Sequence, residues 1–269
     1  MQTGISTASL FFRRSTEEAL PCIQNLGVRN AEVFLTTFSE YGEAFGKKLA
    51  ETKGDVRVNS VHTLNTHFEP QLFHAYDKTR ADAFMFFGEA LKAARELQAP
   101  YYTFHGMARF KRGTQSGEKD NFAVFIKGFQ EICAFAKNYG ITVCLENVEW
   151  ALYNRVGVFS KIAQEVPNLR GVLDVKQARI SQIPYQNYIA EMGDKITHVH
   201  LSDVDEQGKM CLPGRGTFDF DELVKRLQDV GFIGKLLLEV YKNDYTDEAE
   251  LKTSCDFLDE ILYKNNCYF

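Results

Sequence analysis

The chain has little of what marks a membrane, secreted or nucleic-acid-binding protein. It holds only 6 prolines, and no stretch rich in Pro, Gly and Ser reads as a linker. Apolar runs such as Phe84-Met85-Phe86-Phe87 and Leu236-Leu237-Leu238 fall far short of the ~20 residues that span a bilayer. Met1-Gln2-Thr3-Gly4 is not a basic region followed by an apolar one, so no signal peptide is expected. The cysteines, at 22, 133, 144, 211, 255 and 267, form no C-x-x-C pair and no zinc-finger spacing with histidine. They read as reduced, buried structural thiols of a cytoplasmic protein. Basic residues are outnumbered 31 to 36, a net charge of −5, which gives no broad positive field for nucleic acid or anionic membrane. Lys111-Arg112-Gly113 is a small basic loop, read as solvated surface. The remainder, 45% hydrophobic and 25% charged, excludes disorder, collagen-like repeats and coiled coil as the main architecture.

What is present is an alternation of short β-rich segments with longer amphipathic ones. Strands are expected at 5–10, 31–35, 56–62, 101–105, 142–146, 171–174, 196–201 and 235–240. Helices are expected at 16–26, 40–52, 77–97, 121–138, 156–166, 185–192, 219–230 and 247–263. Ser15 and Glu18 form a capping box before the first helix, and Gly27 ends it. Eight strand–helix units in this length is the arithmetic of a single-domain (β/α)8 TIM barrel over residues 1–269. A doubly wound sheet would carry a Gly-rich phosphate turn after its first strand, and Ser6-Thr7-Ala8-Ser9 is not one.

Chemistry in such a barrel sits where strands end. Six successive strands here end in His62, His105, Glu146, Asp174, His200 and Glu239, each after an apolar run. Carboxylates at buried strand ends are costly unless paired or bound to a metal. Glu146, Asp174, His200 and Glu239 form an oxygen and nitrogen ligand set suited to Mn²⁺, Mg²⁺, Co²⁺ or Zn²⁺. The competing reading is a network of salt bridges, for which Lys176 and Arg215 would be the cations. His198, on the same face as His200, and Glu149 are rival ligands.

The motifs Leu145-Glu146-Asn147, Leu173-Asp174-Val175-Lys176-Gln177, His198-Val199-His200-Leu201-Ser202-Asp203 and Pro213-Gly214-Arg215-Gly216-Thr217-Phe218 resemble the xylose isomerase-like TIM-barrel superfamily. That group includes sugar phosphate isomerases and epimerases, inosose dehydratase-like proteins and the endonuclease IV family. The resemblance runs from the first strand to Glu239. In its epimerase branch it implies one divalent metal held by Glu146, Asp174, His200 and Glu239, with Glu146 and Glu239 also the acid/base pair flanking an enediolate. In the endonuclease IV branch, His62 and His105 match two further zinc ligands. A histidine expected three residues after the aspartate is Gln177, however, and the Asp-x-His pair is missing from Gly208-Lys209-Met210-Cys211-Leu212. A trinuclear zinc site and an endonuclease IV-like cleavage of damaged DNA are therefore the weaker alternative.

The implied function is a metal-dependent isomerase or epimerase of a sugar or sugar derivative. A dehydratase or other lyase is the alternative, since enediolate chemistry serves both. The expected partner is a small-molecule carbohydrate, and homo-oligomerisation is left open. His62 and His105 are read either as hydrogen-bonding to substrate hydroxyls or as ordinary barrel histidines. Lys176 is either an anion contact or a surface lysine. Arg215 is either a phosphate contact or a loop stabiliser. Trp150, the only tryptophan, either covers a sugar ring or packs on its loop.

Overall fold

The computed structural model describes residues 1–64, 67–107 and 118–267. The basic loop at Lys111-Arg112-Gly113 lies outside them. Eight parallel strands close into a barrel: β1 (Gln2–Ser6), β2 (Asn30–Leu35), β3 (Arg57–Thr63), β4 (Tyr101–Phe104), β5 (Thr142–Glu146), β6 (Arg170–Asp174), β7 (Ile196–Leu201) and β10 (Lys235–Leu238), with β10 pairing to β1. Between β7 and β10 a two-stranded ribbon forms from β8 (Asp203–Val204) and β9 (Met210–Cys211). Nine helices among the described residues surround the barrel: α1 (Thr16–Asn25), α2 (Glu43–Thr52), α3 (Asp77–Glu96), α4 (Glu118–Lys137), α5 (Val158–Glu165), α6 (Val175–Ile180), α7 (Tyr185–Met192), α8 (Phe220–Asp229) and α9 (Ala249–Lys264).

The expected bounds of β5, β7 and α7 are those observed, and the Ser15–Glu18 capping box starts α1. The first strand differs. It runs over Gln2–Ser6, and Thr7–Leu10 turns into a 3-10 helix. The hydroxyl residues divert it: Ser6 Oγ accepts from the Ala8 amide, Thr7 Oγ1 accepts from the Phe34 amide, and Ser9 Oγ donates to the Leu238 carbonyl. Helix α6 was also not expected. It follows β6 directly because the Asp174 carboxylate accepts from the Gln177 amide and caps it. The cysteines are all free, but Cys22 and Cys211 are half-buried rather than buried. No helix among the described residues is long and apolar enough to cross a membrane.

Side-chain alternation along the strands builds two interiors. Val33, Leu35, Val61, Leu145, Leu173, Val199, Leu236 and Leu238 face the helices and join the main hydrophobic cluster. The alternate residues face the bore, where branched aliphatics usually dominate. Here the bore is polar: Glu32, Ser60, His62, Thr103, Glu146, Asp174, His198 and His200 are all buried.

Candidate active site

The site is built in two tiers. The lower tier is centred on Glu32, fully buried in the middle of β2. Its carboxylate accepts from Ser60 Oγ at 2.7 Å, Thr103 Oγ1 at 2.6 Å and Ser6 Oγ at 3.2 Å. Three imidazoles surround it: His200 Nε2 at 3.0 Å, His198 Nε2 at 3.3 Å and His62 Nδ1 at 3.5 Å. The strand-end pattern missed this residue. The available signal was one carboxylate among Asn30-Ala31-Glu32-Val33-Phe34-Leu35, on the face opposite Ala31, Val33 and Leu35.

The upper tier holds the expected residues. His200 Nδ1 lies 2.7 Å from Glu146 Oε1 and 3.0 Å from Glu239 Oε2. The two glutamates, expected to flank an enediolate, thus meet at a single nitrogen. Their other oxygens diverge: Glu146 Oε2 is 3.1 Å from His105 Nε2, and Glu239 Oε1 is 4.0 Å from Lys176 Nζ. His62 and His105 face each other, Nε2 to Nε2, at 2.9 Å. Lys176 is only 3% exposed and stands over the Tyr241 ring at 4.4 Å, so it is no surface lysine. Trp150 lies at the mouth, its ring 5.6 Å from that of His105.

Other residues hold these in place. The Asn147 side chain donates to the Asp174 carbonyl at 2.9 Å and accepts from the Asp174 amide at 2.8 Å, fixing the ends of β5 and β6 together. Glu69, buried between β3 and α3, accepts from the amides of His105 and Gly106 and from Tyr102 Oη. It reaches the site from a short 3-10 helix over Glu69–Phe73, so strand patterning gave no sign of it. Gln177 accepts from the Glu149 amide, and Glu149 belongs to no cluster of metal-ligating atoms among the described residues. Arg215 is not brought to the site: half exposed, it pairs with Glu250. Its loop is held by Asp203, which accepts from the amides of Val204, Gly214, Gly216 and Phe218.

Electrostatically, five carboxylates (Glu32, Glu69, Glu146, Asp174, Glu239) face one lysine and four histidines. Burial works against charge on each, yet mutual attraction outweighs it for several. Burial opposes the His200 proton, but Glu239, Glu32 and Glu146 together push the imidazole well above its usual range. His105, against the same burial penalty, is pushed up to about 10 by Glu146 and Glu69. Burial would raise Glu146, but His200 and His105 hold it well below the usual carboxylate range. In Asp174 burial wins, with Glu146 and Glu239 adding to it against Lys176, and its carboxyl is raised to about 6.

A divalent cation fits this set. Glu146, Asp174 and His200 offer ligand atoms within 4.8 Å of one another. Two acceptors converge on His200 Nδ1, which carries at most one hydrogen, and Glu239 Oε2 is left buried without a hydrogen-bond partner. Further clusters of the same kind join His62, His105 and Glu146, and Glu32 with His198 and His200.

A closed (β/α)8 barrel with histidines and carboxylates at its strand ends defines the class. The chain belongs to the xylose isomerase-like TIM barrel family, whose model matches residues 20–261. Fructoselysine 3-epimerase of Escherichia coli O157:H7 is 25% identical over 120 residues, 42% of this chain and 44% of that protein. The chain thus matches less than half the length of that relative. D-psicose 3-epimerase from Clostridium cellulolyticum H10, solved with D-tagatose, superposes with a TM-score of 0.79 at 18% identity, over 97% of this chain and 99% of that one. The IOLI protein, solved with a bound zinc atom, superposes at 0.78 with 15% identity, over 98% and 99%. At these identities the structural likeness is one of fold.

Proposed function

We propose that the protein is a divalent-metal-dependent epimerase or isomerase of a sugar or sugar derivative. The observation that carries this reading is the convergence of Glu146 and Glu239 on His200 Nδ1 with their remaining oxygens facing opposite ways. Glu146, Asp174, His200 and Glu239 would hold one cation, Mn²⁺, Mg²⁺, Co²⁺ or Zn²⁺. When bound, it supplies positive charge that acidifies a C–H beside a sugar carbonyl. One of Glu146 and Glu239 then takes that proton from one side of the carbon, and the other, protonated, delivers its own proton from the opposite side. Asp174 and His200 act as ligands. His105 and His62, beside Glu146, hydrogen-bond to substrate hydroxyls, and Lys176 neutralises Glu239 and reaches a substrate oxygen. Trp150 covers the sugar ring at the mouth. Arg215 contacts substrate only by leaving Glu250. Names of relatives support the substrate class: the curated relative and one structural neighbour are sugar 3-epimerases.

The test is solvent exchange. Metal-loaded protein in D2O is incubated with a panel of ketohexoses and their derivatives, and deuterium at the carbon beside the carbonyl is read by NMR. Exchange that is lost in Glu146→Gln and Glu239→Gln is expected. An unsaturated product formed with loss of water would replace the epimerase reading by a dehydratase. No exchange with any sugar would overturn it.

A further inference from the structure

A second hollow adjoins the site behind Asp174 and Lys176. It is a cavity of about 190 Å3 between α6, the segment leading into α7, and the β8–β9 ribbon. Its wall is largely apolar, with Val175, Ala178, Ile183, Tyr185, Met210 and Phe218 making up half of the lining residues and Arg179 and Asp203 also among them. Three of its lining residues adjoin the site. Val175 follows Asp174, Ser202 lies two residues beyond His200, and Lys176 lines the cavity while its ammonium faces Glu239.

Three features indicate what it takes. The first is size: an apolar cavity of about 150 Å3 holds a benzene ring, so this one has room for a ring with one or two further atoms. The second is polarity. The hydroxyls of a bare sugar would go unpaired against Val175, Ala178, Ile183 and Phe218, at a cost for each. The third is a single polar vacancy. Ser202 Oγ is buried, its residue 3% exposed, with no hydrogen-bond partner; buried hydroxyls are ordinarily satisfied. Ser202 is among the residues that line the cavity.

We infer that the substrate is a sugar bearing an apolar substituent of benzyl size. The sugar lies on the carboxylate cluster, and the substituent sits in this cavity with its linking heteroatom at Ser202 and Lys176. This rests on the sugar reading above, and it deepens that reading by making the cavity the determinant of specificity.

The test has a binding arm and a turnover arm, on the metal-loaded protein. Benzyl alcohol is titrated by calorimetry into the wild type, into Ala178→Phe, which fills the cavity from α6, and into Met210→Trp, which fills it from the ribbon should the first variant fold poorly. Turnover is compared between a free ketohexose and its 1-O-benzyl and 6-O-benzyl derivatives. Benzyl alcohol is expected to bind the wild type and neither filled variant. The wild type is expected to prefer one benzylated sugar by about tenfold or more in kcat/KM, and the filled variants are expected to lose that preference while keeping turnover of the free sugar. Preference for the free sugar, or benzyl alcohol binding that survives filling, would overturn the inference. If no sugar is turned over but benzyl alcohol binds and is lost on filling, the sugar reading has failed and the cavity stands as a ligand site. If sugars are turned over and benzyl alcohol does not bind, the reverse holds.

Discussion

Glu32 Oε1 and His200 Nε2 stand 3.0 Å apart in the barrel bore, joining β2 to β7 across the interior. With Nε2 turned to Glu32, the opposite ring nitrogen is presented to Glu146 and Glu239. A carboxylate behind a metal-ligating histidine fixes its ring orientation and raises its basicity. Glu32 is in this sense a positioning residue for the proposed ligand set.

Glu32→Gln is therefore expected to lower metal affinity by about 10–100-fold, read by competition with a coloured chelator. Glu32→Asp should recover part of it. Equal affinity in wild type and Glu32→Gln would show that the contact does not serve the cation.

Asn147 makes a reciprocal pair of hydrogen bonds with the Asp174 backbone. Asn147→Leu keeps the volume and leaves the buried Asp174 amide without this partner, at about 1–3 kcal/mol. Urea unfolding should show the loss, and unchanged stability would mean that the ends of β5 and β6 are fixed otherwise.

Asp203 gathers the loop 213–218 through the backbone amides of Gly214, Gly216 and Phe218. Asp203→Ala should speed hydrogen exchange at Gly214 and Gly216. Gly216→Ala should act likewise, because a Cβ there would lie 2.3 Å from Asp203 Oδ1 and from the Val204 carbonyl. Protection unchanged in both variants would sink this role.

In metal-free protein, His105 gives a signed pH dependence. Its folded value, about 10, lies above its ordinary 6.5. The stability it contributes is complete below 6.5 and is lost as pH rises towards 10. The wild type should lose more stability than His105→Gln between those limits. Parallel stability curves for the two proteins would contradict it.

The barrel was legible because eight apolar strands alternate with amphipathic helices, the first opened by Ser15 and closed by Gly27, and because Glu146, Asp174 and His200 sit where such strands end. What escaped has local causes. Glu32 lies within a strand, where one polar residue on the bore face does not disturb the outward-facing period that betrays the strand. Glu69 arrives from a short 3-10 helix between β3 and α3, whose position follows from tertiary packing. Leu10 and Phe11 extended the first apolar run past the point where Ser6 and Ser9 bend it. Strands of two residues, as in the β8–β9 ribbon, are too short to show a period. Lys176 read as a loop residue because the Asp174 cap starts a helix of only six residues.

The most direct test of the proposed centre is metal content on protein purified without chelator or a nickel column, alongside Glu239→Gln and His200→Ala. The result expected is about one Mn²⁺, Mg²⁺, Co²⁺ or Zn²⁺ per chain, lost in both variants. Chelation should lower the unfolding temperature of the wild type and reloading should restore it. No bound metal after reloading, or an ion that both variants retain, would contradict the site.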